Sequence, residues 1–210
     1  MPAIHHAARI AFGAAAAFLL LLALLHVLKP EMDSSSHMVS EYALGRHGWI
    51  MRLAFISLAI SCVALFFILW REGFVAGGVL LAIAGIGMLG LALFATDPIT
   101  TPRETITLAG WLHVLFATIF VIGFPVAATT IGWSAAGDRM FARLRLWLPW
   151  LSLIVWIGFI IFAGAVYAFA GPDPKFGPDV LIGWRQRIMM LTYAAWLIIV
   201  TWAVGMSARI

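Results

Sequence analysis

Six long apolar runs constrain this chain more than any other feature of its sequence. A helix needs about 20 consecutive apolar residues to cross roughly 30 Å of hydrocarbon. Long continuous runs also exclude the short alternating strands of a membrane barrel. We therefore predict an all-α polytopic membrane bundle, one domain over residues 1–210, with transmembrane helices over 10–28, 50–70, 74–95, 106–131, 146–170 and 188–206, the last beginning nearer Leu181.

The composition agrees with a membrane solvent. Hydrophobic residues make up 64% of the chain and charged residues only 10%, against about 25% charged in a soluble domain. The net charge of +4 fits basic anchors at the membrane surface, and no basic run suits a nucleic acid. We expect membrane lipid as the surrounding partner and no nucleic-acid partner, and the sequence leaves the oligomeric state open.

Basic residues indicate the orientation of the bundle. Arg139, Arg143 and Arg145 form a short loop of the cytoplasmic kind, so we place both termini in the cytoplasm of a bacterial inner membrane. The first run follows Arg9 without an A-x-A-like cleavage site, and we expect an uncleaved signal anchor. Most titratable groups then fall on the outer face: Glu31, Asp33, Glu41, Asp97, Glu104, Asp173 and Asp179, with His26, His37, His47 and His113.

The first outer connection concentrates polar side chains in a chain that has few of them. Asp33, His37 and Glu41 are spaced by four, which puts all three on one side if the segment is helical. Asp33 or a following serine can act as the N-cap, and Gly45 can supply a left-handed C-terminal residue. We expect a short helix that lies at the outer interface.

The second outer connection contains a helix-start signal. Thr101 as N-cap, Pro102 at the first helical position and Glu104 three residues after the cap predict a capping box for the fourth helix. This interpretation gives Glu104 a structural role and leaves Asp97 without one. Asp97 is therefore a candidate functional residue.

His113 on the fourth helix and two arginines on the sixth complete the outer polar set. A histidine at membrane depth usually faces a partner or a water-filled cavity, and Asp97, His37 and Glu41 are the available partners of His113. Arg185 and Arg187 stand at the head of the sixth helix and cannot face the same way. Each can snorkel to the interface or pair with Asp97, Glu41 or a ligand phosphate.

These residues predict an outward-facing polar cavity, whose chemistry the sequence leaves open. A hydrogen-bonded structural network explains the same residues. Ligand binding would use Asp33, His37, Ser40, Tyr42, Arg185 and Arg187. Catalysis would use Glu41, Asp97 and His113, with zinc held by His37, Asp97 and His113 and with Glu41 as general base. Haem between His26 and His113 is a further arrangement that nothing else in the sequence favours.

Four motifs in a fixed order give the chain a family resemblance. They are the segment 40–49, the segment 94–98, Gly110 with Leu112-His113, and Gly183 with Gln186-Arg187-Ile188. Together they resemble the prokaryotic six-helix membrane family catalogued as domain of unknown function 998. The resemblance implies a six-helix integral membrane protein of unassigned activity, with Ser40, Tyr42, Gly45, Gly48, Asp97, Gly110, His113, Gln186 and Arg187 as its matching positions.

The sequence thus predicts a membrane protein that binds a small or lipid-like molecule at an outward-facing polar site. A metal-dependent hydrolase acting on a lipid is the first alternative. A more distant likeness to the seven-helix ceramidase-like metal hydrolases is weakened here by the absence of a seventh helix. A transporter or proton-coupled carrier is the second alternative, and whether the protein is an enzyme is left open.

Overall fold

The computed structural model describes residues 2–135, 137–169, 176 and 178–207. The chain is a bundle of six helices, each long and apolar enough to cross a membrane, which confirms the predicted fold class and makes this a multi-pass membrane protein. The first helix begins eight residues before the predicted start, and the predicted end of the fifth at Ala170 lies outside the described residues. The helices are α1 (Pro2–Leu28), α2 (Gly48–Arg71), α3 (Val75–Leu93), α4 (Leu108–Ser134), α5 (Leu148–Phe169) and α6 (Ile182–Ser207).

The helices form a ring in which each packs against the next in sequence. Helix α6 returns to α1 and closes the ring, and it also touches α2. We name the end of the bundle that holds residues 29–47, 94–107 and 178–181 the polar end. Both described termini lie at the opposite end, where His5 Nδ1 is 3.2 Å from the carbonyl oxygen of Gly205.

Glycines on α3 allow α4 to approach closely. A methyl group at Gly87 would come 2.9 Å from the backbone of Phe116, and one at Gly90 would overlap the ring of that phenylalanine. Small residues let helix backbones meet in lipid, as the sequence indicates.

A proline inside α4 is compensated by a tyrosine on α6. Pro125 has no amide hydrogen, so the carbonyl of Val121 one turn earlier loses its helical partner. The buried hydroxyl of Tyr193 donates to that carbonyl oxygen at 2.8 Å. The pair satisfies a group whose exposure in hydrocarbon would be costly, and it fixes α6 against α4.

Helices α4 and α5 make their polar contacts in the halves remote from the polar end. There the Ser152 hydroxyl donates to the carbonyl oxygen of Ala128 at 3.0 Å, and Trp156 Nε1 donates to Thr129 Oγ1 at 2.8 Å. No such hydrogen bond joins the described residues of their polar halves. A cavity occupies that region, and it is part of the candidate site.

Candidate functional site

Arg187 at the head of α6 ties the first polar connection to the bundle. Its Nε donates to His26 Nε2 at 2.9 Å, and its Nη1 donates to the carbonyl oxygens of Ser34 at 3.1 Å and His37 at 2.9 Å. Its Nη2 donates to the hydroxyl of Tyr42 at 3.1 Å. Four of the five guanidinium hydrogens are thus used, and the side chain is only 3% exposed. We name these five residues the arginine cluster.

Gly183 allows this connection to lie directly on the first turn of α6. Its amide donates to the carbonyl oxygen of Ser35 at 3.1 Å. A methyl group at this position would overlap the carbonyl oxygens of Ser34 and His37 and would come 2.8 Å from Arg187 Nη1. A larger residue would displace the two carbonyls that Arg187 binds.

Lys29 is a second buried cation beside Tyr42. Its Nζ donates to the carbonyl oxygens of Leu44 at 2.6 Å and Tyr42 at 3.4 Å. It lies 5.9 Å from the centre of the Tyr42 ring, and the guanidinium carbon of Arg187 lies 5.5 Å from it. Within the described ranges no carboxylate oxygen is within 4.0 Å of either cation. Among the described residues Arg187 therefore pairs with neither Asp97 nor Glu41, and carbonyls and an aromatic face compensate its charge.

The expected short helix from Asp33 is replaced by two tighter turns. Asp33 accepts from the Ser35 amide at 2.9 Å and from the Ser35 hydroxyl at 2.7 Å, and the amide donation lowers the pKa of the Asp33 carboxyl. His37 Nδ1 lies 3.2 Å from the Asp33 carbonyl oxygen. A 3-10 helix then covers Val39–Ala43. Asp33 is exposed and Glu41 is buried, so the two do not share a face.

Glu41 joins the first polar connection to the second. Its Oε2 accepts from the Met38 amide at 2.7 Å, which caps the 3-10 helix, and its Oε1 accepts from the Ile99 amide at 3.1 Å. The side chain is 4% exposed. A carboxylate with two amide donors is satisfied without a cation, and each oxygen keeps a free lone pair.

Asp97 has the structural role that the sequence assigned to Glu104. Helix α4 begins at Leu108 with Thr107 as its N-cap, and Thr107 Oγ1 accepts from the Gly110 amide at 3.0 Å. Asp97 Oδ2 in turn accepts from the Thr107 amide at 2.7 Å. Glu104 is exposed in a separate 3-10 helix, so the expected capping box at Thr101 is wrong.

His113 lies in the bundle, one turn and a half inside α4. Its Nδ1 must carry the proton that it donates to the Phe94 carbonyl oxygen at 2.8 Å, because a carbonyl can only accept. The Nε2 atom is then a hydrogen-bond acceptor, and the described residues provide no donor for it. The side chain is 4% exposed, and it forms part of a cavity wall.

That cavity lies between the polar halves of α4 and α5 and has a volume of about 440 Å³. Its floor is formed by Phe55, Leu91, Met189 and Met190 from three other helices, and Ser40, Thr96 and Gln186 surround His113 at its polar end. A second cavity of about 350 Å³ adjoins it towards the polar end and shares Ser40 and Thr96. The other residues that form the second cavity include Glu41, Asp97, Thr101, Arg103 and Trp111. We name the first the lateral cavity and the second the head cavity.

The sequence-predicted site residues fall into separate groups. Asp33, His37, Tyr42 and Arg187 belong to the arginine cluster or its turn, while Ser40, Glu41, Asp97 and His113 line the two cavities. Arg185 is half-buried and donates from Nε to the Val180 carbonyl oxygen at 2.9 Å. Arg185 and Arg187 therefore do face different ways, as expected.

The proposed zinc ligands are not gathered at one point. In the part of the chain that the structure describes, no three histidine, cysteine, aspartate or glutamate side chains come together as metal ligands do. His37 bonds to its own turn, Asp97 to the cap of α4 and His113 to the Phe94 carbonyl. Catalytic roles for Glu41, Asp97 and His113 stay predictions.

Sequence reasoning missed the roles of three contributors to the site, although the family resemblance includes Gln186. Gln186 Oε1 accepts from the Val39 amide at 2.6 Å, Thr107 caps α4, and Lys29 binds two carbonyls. Gln186 follows Gly183 by one helical turn inside a family-like motif, and Thr107 precedes an apolar run, so both had a detectable signal. Lys29 had none, because a lysine at a helix end usually snorkels.

The fold and these cavities define a six-helix multi-pass membrane protein with a polar end and a lateral cavity. A family model described as a protein of unknown function (DUF998) matches residues 12–203. The chain belongs to this family. No curated protein and no solved structure shows significant similarity to the chain.

Proposed function

We propose that this protein binds an amphiphilic, lipid-like molecule whose chain occupies the lateral cavity and whose head lies in the head cavity. The observation that carries the proposal is the Nε2 acceptor of His113, which has no donor among the described residues and lies at the polar end of a mostly apolar cavity. Ionisable side chains inside a membrane protein usually face a partner. A ligand hydroxyl or amide in the cavity would supply the donor that the described residues lack.

The size and lining of the lateral cavity support a small-molecule ligand. Its volume of about 440 Å³ falls within the range of roughly 300–1,000 Å³ typical of ligand sites. Such sites are mostly apolar with a few convergent polar groups, and here the polar groups are His113, Gln186, Ser40 and Thr96 at one end. An amphiphile has the same separation of polar and apolar parts.

The mouth of the cavity supports entry from the bilayer. Val114 and Ile122 on α4 and Tyr167 on α5 line the cavity and are 48%, 49% and 93% exposed. In a multi-pass protein the outward faces of these helices meet lipid. A membrane-soluble ligand could therefore enter between α4 and α5 without crossing the polar end.

We further propose that the protein lies in a bacterial inner membrane with both termini in the cytoplasm. The basic loop with Arg139, Arg143 and Arg145 supports this orientation. The head cavity would then open to the periplasmic side. A reporter fused after residue 210 should show that the C-terminus lies in the cytoplasm. Reporter activity in the periplasm would show that the orientation is the opposite one.

The ligand proposal is tested by replacing each of two alanines on α5 with phenylalanine. Ala163 lines the lateral cavity, whereas Ala168 is exposed. Ala163→Phe fills the space that a ligand chain would use, and Ala168→Phe adds the same side chain on the lipid-facing surface. Native mass spectrometry of the purified variants measures the co-purified amphiphile.

We expect a stoichiometric adduct in the wild type and in Ala168→Phe, and its loss in Ala163→Phe. Thermal unfolding checks that both variants fold. An adduct that persists in the folded Ala163→Phe variant would place the bound molecule elsewhere, and no adduct in any of the three proteins, even after addition of lipid extract, would refute the proposal.

A further inference from the structure

We infer that the preferred ligand carries an uncharged, hydroxyl-bearing head group, as a monoacylglycerol does, and that anionic heads are rejected. This inference rests on the proposed function, because it specifies the ligand of the same site. It follows from the balance of hydrogen-bond acceptors and charges around the head cavity.

Hydrogen-bond acceptors, two of them carboxylates, form a large part of the polar lining. The carboxylates of Glu41 and Asp97 both line the head cavity, and each carboxylate has about four lone-pair positions. Glu41 uses one position on each oxygen for a backbone amide. His113 Nε2 is an acceptor as well, and the Thr96 hydroxyl has already donated its hydrogen to the Asp97 carbonyl oxygen at 2.9 Å. A ligand that donates hydrogen bonds fits this lining.

The donors around the site are mostly neutral, and Thr101 and Trp111 contribute a hydroxyl and an indole N–H at the head cavity. Gln186 presents its amide nitrogen, because its oxygen is bound to the Val39 amide, and Ser40 presents a hydroxyl. Among the described residues, Arg103 is the one cation that lines the head cavity, and it is exposed at the rim with its guanidinium carbon 5.9 Å from the Trp111 ring. Two carboxylates therefore face one rim cation within that part of the chain.

Both carboxylates are held in place by the fold. Glu41 bridges two connections, and Asp97 supports the cap of α4. Gly110 makes room for Asp97, since a methyl group there would overlap its carboxylate. An anionic head group would meet two fixed negative charges in a partly desolvated cavity, where like charges repel more strongly than in water. A glycerol head would instead donate to them.

The test compares two probes with the same acyl chain. Purified wild-type protein is mixed with equal concentrations of 1-oleoylglycerol and 1-oleoyl-lysophosphatidate, and native mass spectrometry measures the bound fraction of each. We expect a preference for 1-oleoylglycerol of about tenfold or more. The repulsion between two like charges in contact, at an effective dielectric constant near 20, is more than enough to produce a ratio of this size.

A charge-gain variant provides a readout that misfolding cannot imitate. Thr101 lines the head cavity, and its side chain makes no hydrogen bond to another described residue. Thr101→Lys adds a cation beside the carboxylates and should shift the binding ratio towards the phosphate probe by about tenfold. Ser134→Lys adds the same charge at an exposed position at the opposite end of α4, remote from both cavities, and should leave the ratio within about twofold of wild type.

The outcomes separate the two proposals. Equal or preferred binding of the phosphate probe would overturn the head-group inference and leave lipid binding intact. Binding of neither probe, or binding that Ala163→Phe does not reduce, would overturn the proposed function and the inference with it. A ratio that Thr101→Lys does not change would show that charge at the head cavity does not select the ligand.

Discussion

Replacing Arg187 by lysine should destabilise the bundle far more than the same replacement at Arg185. Lysine keeps the positive charge but has a single nitrogen at the end of a flexible stem. Arg187 reaches its four partners from three nitrogens that point in different directions. A single ammonium group cannot reach all the partners that lie around the edge of the planar guanidinium group.

The expected loss follows from the number of bonds that break. If lysine keeps two of the four partners, two hydrogen bonds from a charged donor are lost, and each contributes about 1.5–3 kcal/mol. The side chain is 3% exposed, so water cannot replace the missing donors. Arg187→Lys should therefore lower the free energy of unfolding by roughly 3–6 kcal/mol.

Arg185 supplies the control on the same turn of α6. It is half-buried and makes one side-chain hydrogen bond to the described residues, with the Val180 carbonyl oxygen as acceptor, and lysine can also make this bond. Arg185→Lys should change the free energy of unfolding by less than about 1 kcal/mol. Reversible denaturation of both variants in one detergent measures the difference. Equal losses would refute the reasoning, because charge and not geometry would then hold the cluster together.

Other contacts lead to further expectations. Tyr193→Phe removes the donor to the Val121 carbonyl, which has no helical partner because of Pro125, and should lower the free energy of unfolding by about 1–3 kcal/mol in the same denaturation assay. No loss would show that the carbonyl is otherwise satisfied. Gly110→Ala places a methyl group against the Asp97 carboxylate and should lower the melting temperature, whereas Gly13→Ala faces open space and should be neutral or slightly stabilising. A neighbouring amide lowers the pKa of Asp33 below its usual 3.8, so its contribution to stability is present above that value and is lost as the pH falls through the lower folded-state pKa. The difference in melting temperature between wild type and Asp33→Asn should thus stay constant from about pH 8 to pH 5 and shrink only in stronger acid.

The helices were predictable because the membrane leaves few alternatives. Backbone groups in hydrocarbon must pair within the segment, so an apolar run of sufficient length is a helix whatever its neighbours are. The separation of Arg185 from Arg187 was predictable for a related reason, since helical geometry alone puts positions two apart on different faces. Both inferences depend only on local sequence.

The polar connections were harder to predict because local signals compete there. The spacing of Asp33, His37 and Glu41 indicates a helix. Instead, the amide and hydroxyl of Ser35 donate to the Asp33 carboxylate and stabilise a turn. Thr101 and Thr107 are both acceptable N-caps for α4. Asp97 decides between them by binding Thr107, and that contact joins two segments that are ten residues apart.

The lateral cavity could not be predicted from the sequence. His113 is identifiable as a polar residue at membrane depth, but its partner is a backbone carbonyl, which no side-chain pattern reveals. The space beside it depends on where α4 and α5 separate, and that is a property of tertiary packing. The sequence therefore gives the residue types of the site but not which of them share a cavity.

An experimental structure of the protein in a lipid nanodisc, at a resolution that shows bound lipid, tests the central claim most directly. We expect elongated density between α4 and α5, with a polar atom of the ligand within about 3.2 Å of His113 Nε2. Collapse of Met189 and Met190 into an empty cavity, or lipid bound only on the outer faces of the helices, would contradict the proposed binding site.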